Sequence, residues 1–210
     1  GLVDLHVHAP QYTYRGLGMD KELLDWLQTY AFPEESRYED PDYAERAYRI
    51  FVEKMRTNAT TRACIFATAH VPATLLLMEM LEKSGLITYV GKVSMDRNAP
   101  APLCEESPAV AAAAVEKWLK ASLKKYKNTK PMLTPRFIPS CTDDLLTSLG
   151  RFQKKYHVPV QSHLSENLSE IAWVRELCPY SSDYGEAYEH FGLFGGNAPT
   201  VMAHGVWPGK

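Results

Sequence analysis

The residues best able to do chemistry in this 210-residue chain are Asp4, His6 and His8, at alternate positions in the run from Leu2 to His8. Alternation of this kind belongs to a strand, where neighbouring side chains point to opposite faces. It separates an apolar face of Val3, Leu5 and Val7, suited to helices packed outside, from a polar face of Asp4, His6 and His8. Residues two apart on a strand lie roughly 6.5 to 7 Å apart on the same side, so two imidazoles can converge on one ion. A histidine pair can equally face solvent or bond within a core, and the metal reading depends on partners elsewhere. The chain supplies His163, Glu166 three residues later, and His204. Three imidazoles suit zinc or another borderline first-row ion with one position left open for water. Water on such an ion reaches a pKa near ~7, and Glu166 could carry its proton to a ring nitrogen or a leaving amine. Asp4, earlier on the strand, suits orienting a ligand better than binding the ion. His70, His157 and His190 lack such a setting, and His157 falls at a helix end, where a cation favours the dipole.

The elements that must position these groups alternate regularly. Strands are predicted at Leu2–His8, Thr60–Thr68, Ile87–Met95, Met132–Phe137, Val158–Leu164 and Thr200–His204. Helical spacing is predicted around Leu23, Leu24, Trp26 and Leu27. It recurs over 42–56, with Tyr43, Ala47, Ile50, Phe51 and Met55 on one face, and over 72–83, 107–126, 145–156 and 184–191. Gly85 sits where a helix C-cap needs a left-handed residue, Ser107 before Pro108 reads as an N-cap with proline at N1, and Asn167 with Glu170 reads as a capping box. Strands alternating with helices imply parallel βαβ units. The polar residues gather at strand C-terminal ends, the edge at which α/β barrels build their sites. A doubly wound open sheet also fits six strands, but histidines from strands one, five and six converge more easily across a closed ring. The expectation is an α/β, TIM-type (β/α)8 barrel truncated to about six βα units.

A formal charge of -2 provides no field to attract nucleic-acid phosphates or an anionic membrane, and no apolar run approaches the ~20 residues of a span. Neither nucleic acid nor membrane is an expected partner. The four cysteines are widely spaced with no CxxC pair, which suits reduced thiols in a cytoplasmic protein. The start at Gly1, directly at a strand, suggests a piece of something longer.

The stretches LVDLHVHAPQY, TTRACIFATAH, GKVSMDRN, TPRFIPSC, QSHLSEN and VMAHG together resemble the guanine deaminases, a family within the amidohydrolase superfamily, and they span almost the whole chain. The His-x-His pair marks only the superfamily; HAPQY, PRF and QSHLSEN together are far more specific. The resemblance implies a barrel enzyme that hydrolyses guanine to xanthine and ammonia. By matching motif, His6, His8 and His163 would hold one Zn2+ ion, with Fe2+ the alternative, and His204 would orient the attacking hydroxide. Glu166 would move protons, while Gln11, Arg136 and Phe137 would hold the purine. An amide can bond both donors and acceptors of a purine edge, a guanidinium can bond its carbonyl, and an aromatic ring can pack on its face.

The family also implies a cytoplasmic homodimer, a metal-binding aspartate after strand eight and a small β-sandwich. Residues 1–210 are therefore expected to form a partial barrel, without the last two strands and the sandwich. An exposed sheet edge and little deaminase activity in isolation are expected to follow. Two other readings stay open: a deaminase of another aminated heterocycle, such as a triazine or an adenosine derivative, and a metal-binding module without turnover.

Overall fold

The computed structural model describes residues 1–196 and 198–207. Its strands are β1 (Leu2–His8), β2 (Thr60–Phe66), β3 (Ile87–Gly91), β4 (Val93–Ser94), β5 (Thr129–Pro131), β6 (Thr134–Pro135), β7 (Val160–Leu164) and β8 (Thr200–His204). Its helices are α1 (Leu23–Trp26), α2 (Phe32–Ser36), α3 (Pro41–Arg56), α4 (Val71–Ser84), α5 (Pro108–Ser122), α6 (Asp143–Tyr156), α7 (Leu168–Leu177) and α8 (Tyr184–His190). All recorded ladders are parallel. They run β1-β2-β3-β5, β4-β6 and β7-β8, and a bridge from Leu133 to Val160 links the second half to the first. The six predicted strand regions thus lie side by side in chain order, as successive βα units require.

Two of those regions are broken where one strand was expected. Ile87–Met95 divides at Lys92, whose side chain turns into the interior and donates to the Val93 carbonyl and the Glu105 carboxylate. The region expected at Met132–Phe137 begins earlier, at Thr129, and divides before Thr134. Pro131 and Pro135 have no N–H to give, so the ladder cannot run through them unbroken. The early start is held by Glu82, whose carboxylate accepts the N–H groups of Lys127, Asn128 and Thr129 at 2.9 Å each. Likewise β7 starts at Val160 rather than Val158, just after Pro159.

Helix ends follow the local chemistry. Ser107 Oγ accepts the Val110 N–H, Thr142 Oγ1 accepts that of Leu145, and Gly85 is left-handed at φ 82° after α4. Asn167 and Glu170 form the predicted capping box at the start of α7. Ala44, Tyr48, Phe51 and Met55 bury the inner stripe of α3, and Ile50, expected on that face, is 55 % exposed because it lies about 100° round the helix from Phe51.

The main core packs α3, α4, α5 and α6 against the sheet around Trp118, Phe51, Ile65, Leu77 and Leu149. A smaller cluster of Tyr14, Leu27, Phe32, Phe66 and Phe137 lies under the histidines. On β1 the expected apolar cover is incomplete: Val7 packs on the core, but Val3 and Leu5 are 56 % and 55 % exposed. Among the described residues, the strand is laddered on one side, to β2. Among the described residues, no helix is long and apolar enough to cross a membrane.

Gly91, at the break between β3 and β4, has no room for a side chain. An added Cβ would overlap the Thr134 side chain and come within 2.8 Å of Gln161 Nε2. Gly91→Ala is expected to destabilise the protein by about 1–3 kcal/mol, measured as a lower urea midpoint at unchanged slope.

Candidate active site

The C-terminal ends of β1, β7 and β8 bring His6, His8, His163 and His204 together. His6 stands 5.0 Å, 4.9 Å and 5.0 Å, ring centre to ring centre, from His8, His163 and His204. One nitrogen of each of His6, His163 and His204 falls within 4.8 Å of the others, and His8 Nε2 is 3.0 Å from His163 Nε2. Register explains the convergence: β7 and β8 pair so that His163 faces Ala203 and Leu164 faces His204, while β1 presents its two histidines from the same side. Beneath them lies Phe66, fully buried at the end of β2, stacked on His8 at 4.4 Å and edge-on to His6 at 5.0 Å. Its place at the end of a predicted strand was the one sequence signal that could have assigned it to the site.

Burial keeps these imidazoles neutral. It lowers His6 to about 4, with His204 adding to the effect. His8 and His163 are driven well below the usual histidine range by burial and then by their histidine neighbours, and His204 is lowered by burial. The tautomer of His163 is set by the main chain: its Nδ1–H donates to the Arg136 carbonyl at 2.6 Å, leaving the Nε2 lone pair for the centre of the cluster. Among the described residues, the buried Nδ1 atoms of His6 and His8 have no hydrogen-bond partner. The neutral imidazoles of His6, His163 and His204, with ligand nitrogens within 4.8 Å of one another, form a donor set that fits a borderline divalent ion, and His8 lies beside them. Asp4 takes a different part from the expected one, because its carboxylate accepts the backbone N–H of His6 at 3.1 Å and so holds the strand rather than a ring.

Glu166 closes one side of the cluster. Its Oε2 lies 3.4 Å from His204 Nε2, and burial, reinforced by Glu170 and opposed by Arg136, raises its carboxyl to about 7. With His204 lowered by burial and so neutral, the contact is not a full ion pair. The turn that carries Glu166 is held from behind: Glu170 accepts the N–H groups of Glu166 and Asn167 and the Tyr184 hydroxyl. Ser165 and His204 are left-handed at φ 52° and 76°, a costly conformation for residues with a Cβ. Their turns secure each other, since Gly205 N–H donates to the Leu164 carbonyl and Val206 N–H to that of Ser165.

All eight sequence-selected residues line one cleft of about 480 Å³, counting its open mouth: His6, His8, Gln11, Arg136, Phe137, His163, Glu166 and His204. Leu23, Trp26 and Leu27 complete it as an apolar wall. Sequence reading had treated these three only as a helix. Opposite the histidines, Arg136 is buried with its guanidinium bonded twice to Glu35, once at 3.0 Å, and 5.1 Å over the Phe32 ring. Burial works against the charge of Arg136, but Glu35 outweighs it and raises its pKa. Removing one member of such a pair typically costs about 3–5 kcal/mol, because the other is left charged in the interior. Glu35 also accepts Gln11 Nε2 at 3.2 Å. His70, His157 and His190 lie away from the cleft, at the ends of α4, α6 and α8, as expected.

The model of the Amidohydrolase family matches residues 1–210, and the chain belongs to that family. Within it, the chain is 41% identical over 208 residues to the guanine deaminase of Rattus norvegicus, covering 99% of this chain and 45% of the relative. It is 36% identical over 210 residues to the guanine deaminase of Escherichia coli (strain K12), covering 98% and 46%. The fold matches the crystal structure of guanine deaminase from C. acetobutylicum with bound guanine in the active site, with a TM-score of 0.97 and 48% identity over 100% of this chain and 50% of that one. The resemblance drawn from the motifs is borne out. The chain spans about half the length of the curated relatives it matches.

If the imidazole cluster holds an ion, Zn2+ added after chelator treatment is expected to raise Tm. The gain at a hundredfold excess over Kd is about 2.7 kcal/mol. His163→Ala should abolish the rise in a scanning-fluorimetry titration; an equal rise in both proteins would locate the ion elsewhere.

Proposed function

We propose that residues 1–210 carry the metal-binding and purine-holding part of an enzyme that hydrolyses guanine to xanthine and ammonia. The observation that carries this reading is the meeting, in one cleft, of four neutral imidazoles and Glu166 with Gln11, Arg136 and Phe137 opposite. Similarity to the rat and bacterial guanine deaminases supports guanine as substrate. His6, His8 and His163 are assigned as ligands of one Zn2+, with Fe2+ the alternative, and His204 as the group that orients the attacking water. A divalent ion held there would supply the Lewis acidity that makes water a competent nucleophile near neutral pH.

The chain's own groups do the rest. Arg136 donates to the purine carbonyl, Gln11 bonds the ring edge and Phe137 packs beside the heterocycle. Leu23, Trp26 and Leu27 keep bulk water from that side of the cleft. Glu166, with a carboxyl at about 7, can both take and return a proton at neutral pH; a nearby cation favours its carboxylate form, so it starts as the base. It removes a proton from the attacking water and delivers it to the ring nitrogen beside the amine-bearing carbon. The second water proton then passes through the same carboxyl to the amine, which leaves as ammonia while the carbonyl of xanthine forms.

The chain-order run of parallel strands and the exposed Val3 and Leu5 on β1 support reading residues 1–210 as six βα units of a (β/α)8 barrel. Little turnover is then expected from these residues in isolation. A homodimer and a cytoplasmic location belong to the same reading.

The test is ultraviolet monitoring of guanine conversion by the intact natural polypeptide that carries these residues. Conversion is expected, and Glu166→Ala should reduce kcat by about 10²- to 10⁴-fold. A variant that retains wild-type kcat would remove Glu166 from the reaction. Zinc-loaded protein that leaves guanine untouched but deaminates another amino-heterocycle would change the substrate.

A further inference from the structure

Glu35 lies in α2, 101 residues from Arg136 in sequence, and is 1 % exposed. It does not line the cleft, yet it touches the two polar side chains opposite the histidines. The bonds it makes have a direction. A carboxylate paired with a guanidinium can only accept, so the Gln11 atom facing it at 3.2 Å must be the Nε2 amide nitrogen. The amide is thereby turned, and its carbonyl, Oε1, is the end left for the cleft that Gln11 lines. Both Nη atoms of Arg136 are likewise anchored on Glu35, and the guanidinium's remaining N–H bonds are what it can offer to a ligand. The guanidinium also lies 5.1 Å over the Phe32 ring, so packing as well as charge bears on its orientation.

We propose that Glu35 is the positioning residue that sets the donor–acceptor polarity of this grip, an acceptor at Gln11 beside donors at Arg136. The inference rests on the purine-deaminating reading of the cleft and deepens it. The complement of that pattern is a lactam edge, a ring N–H beside a carbonyl, as guanine offers. An amidine edge, a bare ring nitrogen beside an amine, presents an acceptor to an acceptor and a donor to a donor. A buried site built to bond one edge rejects the other because its polar groups are left unpaired. If Glu35 is made neutral, the Gln11 amide is free to turn over, and the site distinguishes the two edges less sharply, through the Arg136 donors alone.

The probes are guanine and 2,6-diaminopurine, which differ in this edge, with the intact natural polypeptide as wild type. Equilibrium affinity and turnover are measured in parallel for wild type, Glu35→Gln and Glu35→Asp. Wild type is expected to bind guanine at least about 100-fold tighter than diaminopurine. In Glu35→Gln that ratio should fall by at least about tenfold, from weaker guanine binding with diaminopurine nearly unchanged, and the loss in turnover should appear in KM more than in kcat. Glu35→Asp keeps the charge that buried Arg136 needs but reaches one methylene less far, so it serves if Glu35→Gln does not fold; it should narrow the ratio by a smaller factor. An equal loss for both purines, or an unchanged ratio in the folded variant, overturns the proposal. Wild type that binds guanine with this preference but does not convert it refutes the deaminase reading, while the affinity ratio still decides the role of Glu35. Wild type that binds neither purine refutes both.

Discussion

Arg136 is the residue through which the two halves of the cleft are mechanically joined. Its carbonyl fixes the tautomer of His163, and its guanidinium, paired with Glu35, faces the opposite wall. Neither function tolerates much freedom, since a buried imidazole needs a defined proton position and a buried guanidinium needs a counter-charge. The backbone around Arg136 is accordingly tied down. Arg97 and Asn98 donate to the Ile138 and Pro139 carbonyls, and Asp96 accepts the Thr142 N–H at 2.7 Å. The loop after β4 thereby becomes a brace for the loop after β6. Lys92, buried against Glu105, anchors the far end of that brace.

The electrostatics of the cleft divide along the same line. On one side four imidazoles are kept uncharged by burial, reinforced at His6, His8 and His163 by their histidine neighbours, a condition that leaves lone pairs able to bind a cation. On the other side a charged group is retained because its partner is built in. Glu166 lies between, where burial and Glu170 push its carboxyl up and Arg136 pulls it down. A carboxyl that titrates close to neutrality is the outcome of that balance rather than of any one contact. The left-handed backbone at Ser165 and His204 shows what the arrangement costs: both residues hold their side chains where relaxed strand ends would not.

Much of this was legible in the chain. Strand β1 and strand β8 have the predicted bounds, because strict alternation or a short apolar run between turn residues has few other solutions. The caps at Ser107, Asn167 and Gly85 were readable because capping is local chemistry. His6, His8, His163, Glu166 and His204 were recognisable as chemically able side chains at or just past strand ends, Gln11, Arg136 and Phe137 only through the motifs shared with the guanine deaminases, and all eight line one cleft. The break at Lys92 was not readable, since it depends on which side chain turns inward; the prolines behind the break before Thr134 stand in the sequence, but the point at which the ladder divides depends on the neighbouring strands.

Residue type and spacing, by themselves, determined the βα rhythm, the polar face of β1 and the identity of the chemically able side chains, because those properties repeat within a few residues. Glu35, Phe66 and the wall of Leu23, Trp26 and Leu27 became part of the site only through tertiary structure. Their positions depend on contacts between segments far apart in the chain, 101 residues in the case of Glu35 and Arg136. No local pattern distinguishes an acidic residue in a helical loop that ends in solvent from one that ends beneath a buried guanidinium. Only closure of the fold removes water from that carboxylate, and removal of water is what makes its bonds to Gln11 and Arg136 strong enough to hold a direction.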